Sequence, residues 1–460
     1  MTQEYRIEFD SMGEVEVPAN ALYGAQTQRA VNNFQISGQG FTNEFLEAVA
    51  LVKYAAADVN AELGALERED AEAIKQACEL ILRREYLDQF PVDVYQTGSG
   101  TSTNMNVNEV IAKLANDILG EKRIHPNNHV NFGQSSNDVI PTAIRISTAL
   151  QTERRLLPAL EAMQASLLEK AQEFSGIVKT GRTHLMDAMP VTFEQVFQAY
   201  ASQLEQCTER LVQTLPRLCA LPQGGTAVGS GVNRHPAFAS KVAHAIGKKT
   251  GMHFTETKNH IAAQGTADVP LELSGQLKSV AMALYKLCND LRWMNSGPNN
   301  GLGEIQLKAL QPGSSIMPAK VNPVMEEAMA MVCSQVVGFD SANTMAAASS
   351  QFELNVMQPL LAHNLLEAIR LLSNGCDHLR EFSVQHIQVN KQHVEESLDK
   401  NPILVTALNP LIGYDLAAKV AKKALSEKRA LIDVALEMTD LSKHELEQAL
   451  DPLKMTQPGI

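Results

Sequence analysis

Apolar residues recur at helical spacing over stretches far longer than an ordinary globular helix, and this repeat constrains the fold more than any other feature of the chain. Leu46, Val49, Val52, Ala56, Val59 and Leu63 form one stripe between a Thr42/Asn43 start and a Gly64 stop, which predicts a helix of about six turns. Leu277, Val280, Leu284, Leu287 and Leu291 make another, opened by Ser274 and closed near Ser296-Gly297-Pro298. Similar patterns run from Pro141 past Phe174, from Pro190 to Leu215, from Pro323 to Ala348 and from Pro359 to Phe382. A proline at or near each start is tolerated because first-turn N–H groups lack an intrahelical acceptor. Alternating strand-like runs are scarce and aromatic residues make up only 5%, so the sequence predicts an all-α, mainly helical fold.

Several of these helices exceed 20 residues and carry apolar side chains on more than one face, more than a thin bundle buries alone. Association with other copies would cover them; a monomer with a thick core is the competing solution. At 460 residues the chain is too long for one ordinary domain, and the usual length prior suggests about three. Hydrophobic residues at 45% and charged residues at 20% match soluble globular proteins. No segment approaches the apolar length needed to span a bilayer. The start, Met1 to Met12, carries Glu4, Glu8 and Asp10 without an apolar run, unlike a secretory or transit peptide, so a cytoplasmic address is expected.

A formal net charge of -13 argues against nucleic acid and acidic membranes as partners. The six cysteines, Cys78, Cys207, Cys219, Cys288, Cys333 and Cys376, lie far apart with no C-x-x-C pair. They are expected to act as small buried hydrophobes, with neither disulfides nor a structural metal.

Polar chemistry gathers in Gly-rich breaks between the helices, where rigid elements can present it. The run Gly313-Ser314-Ser315-Ile316-Met317-Pro318-Ala319-Lys320-Val321-Asn322-Pro323 offers hydroxyls, a point charge and a directional amide in one loop before a helix, a set that could close over an anion. Thr97-Gly98-Ser99-Gly100-Thr101 and Gln134-Ser135-Ser136-Asn137-Asp138 are dense in short donors; such clusters also serve as turns and caps. His184 could act as acid or base near neutral pH if a carboxylate such as Glu327 orients it. Glu326 and Glu327 also have a plain reading, as negative charges at a helix start. Gly224 to Gly231 superficially resembles a phosphate-binding loop but lacks the Gly-Lys-Ser/Thr ending and a preceding strand. His125 and His129 are four apart, yet Pro126-Asn127-Asn128 between them resists the helical face a zinc pair wants.

Taken together and in this order, the segments resemble the fumarase/aspartase superfamily, and within it the class II fumarases. The resemblance covers nearly the whole chain, from Asp10-Ser11-Met12-Gly13 and Tyr23-Gly24-Ala25-Gln26-Thr27-Gln28-Arg29 to Ile412-Gly413-Tyr414-Asp415, and the Ser314 loop is its signature. It implies a three-domain subunit, divided as 1–134, 135–391 and 392–460, whose central helices assemble into a homotetramer with each active site shared among three subunits. It implies hydration of fumarate to malate and the reverse, without a metal or organic cofactor.

By that resemblance Ser314 is the base that removes a proton from malate's methylene carbon, and His184, paired with Glu327, handles the water. Ser99, Gly100, Thr101, Ser135, Ser136, Asn137, Thr183, Ser315, Lys320 and Asn322 would bind the substrate carboxylates. His125, Asn127 and Asn128 match a secondary anion-binding segment, although Asn128 stands where Asp is usual. Ala319 replaces the usual fumarase Gly, and Asn299 a usual Arg. Aspartate ammonia-lyase is the nearest alternative. Thr97 to Thr101 and Ser135-Ser136-Asn137 favour fumarase over it, since aspartases resemble Gly-Gly-Ala-Gly-Thr and Ser-Thr-Asn there. A non-catalytic helical scaffold is the alternative from another class.

Overall fold

The computed structural model describes residues 4–458. The first three residues of the Met1–Met12 start, and the extreme ends of the two outer predicted domains, lie outside the described residues. The chain forms two compact units, one from Met1–Pro158, Glu209–Ala281 and Ser334–Ser373, the other from Ala159–Thr208, Met282–Cys333 and Asn374–Ile460.

The first unit opens with a hairpin of β1 (Tyr5–Asp10) and β2 (Gly13–Pro18), an element the sequence reading missed. The alternation of β1 is inverted: Tyr5, Ile7 and Phe9 face outward, at 54%, 50% and 68% exposure. Arg6 turns inward and donates to the carbonyls of Pro18, Ala21 and Tyr23. Five helices follow: α1 (Ala25–Asn33), α2 (Asn43–Glu62), α3 (Arg68–Leu82), α4 (Thr101–Leu119) and α5 (Ser136–Gln151). The predicted Leu46–Leu63 helix is α2, beginning after Thr42 as expected.

The pattern from Pro141 past Phe174 resolves into α5, a π-helical turn at Thr152–Leu156, and α6 (Leu157–Glu173). Pro141 lies inside α5, whose start is set instead by a Ser135–Asp138 capping box.

The Pro190 to Leu215 stretch differs more. Pro190 sits in a hairpin of β3 (Val178–Thr183) and β4 (Met186–Thr192), and α7 (Phe193–Leu218) begins only after it. A reciprocal pair opens that helix: Gln195 N donates to Thr192 Oγ1 at 3.0 Å and Thr192 N to Gln195 Oε1 at 2.9 Å. Local capping chemistry outweighs proline position as a start signal here.

Next come α8 (Phe238–Thr250), α9 (His260–Gly265), α10 (Asp268–Met294), α11 (Val324–Ala348) and α12 (Gln358–Phe382). The helix expected to open at Ser274 starts six residues earlier. Ser274 is no cap but a buried link, donating to Asp340 Oδ1 at 2.8 Å and accepting from Asn343 Nδ2 at 3.0 Å. Helices α7, α10, α11 and α12 each supply residues to both units.

Short helices from Lys391 to Ala449 enclose a separate apolar cluster that includes Leu404, Leu408, Val420, Val434 and Leu446. Among the described residues, sheet is limited to two-stranded pairs, and no helix is long and apolar enough to cross a membrane. All six cysteines are buried and unbridged. The all-α expectation holds in substance.

Candidate active site

Helix α4 starts where glycine lets two backbones touch. Gly98 O accepts from Gln358 N at 3.0 Å, and a Cβ on Gly98 would stand 1.9 Å from Val356 O, so only glycine fits. Gly100 then caps the helix at φ +72°. This fixes Ser99 and Thr101: their hydroxyls lie 2.8 Å apart, and Thr101 Oγ1 lies 2.7 Å from Ser136 Oγ. Ser135 caps α5, its Oγ accepting from Asn137 N, while Asn137 Nδ2 donates to Ala227 O at 2.9 Å. The structure therefore brings Ser99, Thr101, Ser135, Ser136 and Asn137 together at two adjoining helix N-termini. The positive ends of two helix dipoles make such a place receptive to a carboxylate.

Asp138 explains the Gly224 to Gly231 loop. Buried at the start of α5, its Oδ2 accepts from Gly224 N and Thr226 N, both at 2.9 Å. The amides that a phosphate-binding loop would offer are already engaged. Burial pushes the Asp138 carboxyl upward despite these bonds.

In the second unit, the β3–β4 hairpin turns through His184 and Leu185, with φ of +55° and +61°. This is the left-handed two-residue geometry that Asn-Gly usually supplies, and it puts Thr183 and His184 on an exposed tip. Below the tip, buried Glu304 accepts from Arg182 Nη1 at 2.7 Å and lies 3.1 Å from the Lys179 ammonium. That anchor was not foreseen. A cavity of about 540 Å³ beside it is lined by Lys179, Arg182, Tyr200, Lys286 and Asp290 among others, and does not include Ser314.

The signature segment is a closed loop. Ser314 N donates to Lys320 O at 3.2 Å. Gly313 has φ +87°, and a Cβ there would fall 1.7 Å from the same carbonyl. Ser314 Oγ is half-buried and accepts from Ile316 N at 3.3 Å. A backbone donor on that oxygen favours its anion. Lys320 Nζ donates to Asn322 Oδ1 at 2.7 Å, and Ser315 and Lys320 are exposed. Ala319 takes φ +68°, a conformation that suits glycine better. At the start of α11 the adjacent acids diverge: Glu326 is buried and takes a hydrogen bond from Ser383, whereas Glu327 is exposed. Among the described residues, no hydrogen bond or ion pair joins His184 to Glu327 or to Ser314.

His125 Nδ1 accepts from Asn127 N and Asn128 N, at 3.1 and 3.2 Å. Residues Pro126–Val130 form one π-helical turn with proline at its first position and His125 as the extended cap outside it, so the two histidines do not share a helical face. His129 Nδ1 takes the His125 N–H at 2.9 Å.

Sequence reading also missed a polar set in which buried Lys53, Asn104 and Asn108 meet half-buried Asn131 and Gln134. The available signal was the spacing of polar residues on apolar helices, Lys53 and Asn60 on α2 and Asn104 and Asn108 on α4.

Comparison with known proteins bears on all these segments. A family described as Lyase matches residues 13–338, and one described as Fumarase C C-terminus matches 404–457. A Pseudomonas aeruginosa protein named Fumarate hydratase class II 2 is 54% identical over 99% of this chain and 99% of its own. The chain belongs to the class II fumarate hydratase family. Fumarate hydratase class II of Xylella fastidiosa is 52% identical over 100% of this chain and 97% of its own. The crystal structure of a class II fumarase from Schistosoma mansoni superposes with a TM-score of 0.96 at 38% identity, covering 98% of this chain and 99% of that one. The helical fold expected from the family resemblance is thus the family's fold.

Proposed function

We propose that this protein catalyses the reversible hydration of fumarate to malate. The observation that carries this reading is the 54% identity to a named class II fumarate hydratase over 99% of both chains. In the elimination direction, the Ser314 alkoxide takes a proton from the methylene carbon of malate. The electron pair moves into the adjacent carboxylate and returns to form the C=C bond of fumarate as the hydroxyl, protonated on the His184–Glu327 side, leaves as water. A C–H beside a carboxylate is a poor acid, so donors aimed at the charged intermediate are essential, each worth on the order of 3 kcal/mol. Thr101, Ser135, Ser136, Asn137, Thr183, Ser315, Lys320 and Asn322 fill that role, with Ser99 and Gly100 completing the first segment. The Ile316 N–H on Ser314 Oγ supports the base. Closure of the Gly313 loop excludes bulk water.

A homotetramer with sites shared among three subunits belongs to the same reading. Its support is the exposure of large apolar side chains on long helices, including Val212, Trp293, Met331 and Met345. The division into 1–134, 135–391 and 392–460 goes with it, supported by the apolar cluster within residues 398–446. So does a cytoplasmic address, and a secondary anion site at His125, Asn127 and Asn128.

Incubating purified protein with fumarate, with and without ammonium, and quantifying malate and aspartate tests the reaction. Malate without ammonium is expected. Aspartate formed only with ammonium would replace the hydratase reading with an ammonia-lyase.

A further inference from the structure

A buried amine lies behind the two hydroxyl-bearing helix starts. Lys53 of α2 is 0% exposed, and its ammonium donates to Asn131 Oδ1 at 2.8 Å and Gln134 Oε1 at 3.1 Å. Asn131 Oδ1 also accepts from Asn104 Nδ2 and Asn108 Nδ2 of α4, both at 3.3 Å. Asn131 Nδ2 closes the turn by donating to Gln134 O at 3.2 Å. Thr101, Asn104 and Asn108 fall three and then four residues apart, so one face of α4 carries both a site hydroxyl and the amides that reach Asn131. Gln134 directly precedes Ser135, the cap of α5.

Burying a lysine without a direct carboxylate partner is costly. A strongly hydrated point charge is justified where several amide oxygens must converge. Here they belong to the segment that sets where α5 begins relative to α4. We propose that Lys53 is a positioning residue that fixes the distance between the Thr101 and Ser136 hydroxyls, and with it the grip on a substrate carboxylate, without touching the substrate. The inference rests on the reading that those hydroxyls bind carboxylate.

The groups facing Lys53 limit what else could produce its effect. Asp138 from α5 acts on it through charge, the Cys78 thiol from α3 stays protonated because burial raises it, and α4 and the Asn131–Gln134 turn offer amides. Helix α8 meets α2 through Lys241 on Glu62 and Lys249 over the Tyr54 ring. Burial draws the Lys53 ammonium down to about 7, so its hold on both oxygens weakens above neutrality.

The test is calorimetric binding of succinate, a dicarboxylate that cannot react, to the full-length wild type, K53M and S136A. K53M is expected to bind about tenfold more weakly, the scale that small misplacement of a site produces, with circular dichroism and oligomeric mass unchanged. Wild-type affinity should fall as pH rises through about 7 in a way K53M does not reproduce. Unchanged affinity in K53M with weakened binding in S136A overturns the role of Lys53 alone. Unchanged affinity in both overturns the carboxylate reading beneath it. If K53M does not fold, Q134M removes one acceptor and leaves the lysine on Asn131. Undiminished succinate affinity in Q134M overturns the proposal.

Discussion

Thr101 Oγ1 lies 2.7 Å from Ser136 Oγ, joining the first turns of two helices 35 residues apart in sequence. With Ser99 they form a chain of three hydroxyls joined by two hydrogen bonds, which leaves one O–H for a ligand oxygen. Removing one costs a hydrogen bond to a charged group, about 1.5–3 kcal/mol. T101V and S136A are therefore expected to raise KM for malate about 10- to 100-fold, read from steady-state kinetics. An unaltered KM in both would take these helix starts out of the site.

Ser314 is half-buried in a largely exposed loop, so its replacement should separate chemistry from folding. S314A is expected to lower kcat by about 10²–10⁴, the range for losing a general base, with the thermal midpoint unmoved. The same variant should stop incorporating solvent deuterium into the methylene of malate. Exchange at the wild-type rate would place the base elsewhere.

The Lys53 ammonium gives stability a pH dependence of definite sign. Its value falls from 10.5 to about 7 on folding, so between those values the unfolded chain holds a proton that the folded chain does not. Stability should therefore rise with pH across that window and be lowest below it. At about 1.4 kcal/mol per pH unit, the full effect is on the order of 5 kcal/mol. Denaturant titrations at several pH values should show the rise in wild type and a flatter profile in K53M.

Ala319 at φ +68° carries the strain of a left-handed alanine, about 1–2 kcal/mol. Glycine there relieves it at the cost of a more flexible unfolded chain. A319G should leave the fold intact and slow proteolytic cutting within 313–323, because the closed loop becomes the relaxed one. Faster cutting would show that alanine stiffens it.

The cysteines should be silent in the native protein. Burial raises the thiols of Cys219 to about 11 and of Cys333 and Cys376 to about 12, and reactivity requires the thiolate. Ellman's reagent is expected to titrate essentially no thiol natively and all six in guanidinium. Prompt reaction of a native thiol would contradict that burial.

Long elements were legible because their evidence is redundant: the six stripe residues of α2 each repeat the same instruction. Boundaries rested on single residues and failed where one residue type has two uses. Ser274 resembled a cap but serves a buried network with Asp340 and Asn343. Pro190 resembled a helix start but lies in a strand. In the β1–β2 hairpin, β1 turns its polar side chains inward, reversing the usual rule, and only β2 keeps the ordinary pattern with Val15 and Val17 inside. At the site, Ser99, Thr101, Ser135 and Ser136 could be picked out as segments, but their mutual contact depends on Gly98 meeting Val356, two positions far apart in sequence. Lys53 was invisible for a similar reason: its partners lie 78 and 81 residues away.

Asp138 has a consequence for how this fold could change. Two amides of the Gly224 loop are saturated by a carboxylate on the same chain, at an effective concentration no diffusing anion can match. The loop is thus a receptor held shut by an internal competitor. Deleting that competitor, as in Asp138→Gly, would be a shorter route to a new phosphate-binding site than adding any glycine to the loop.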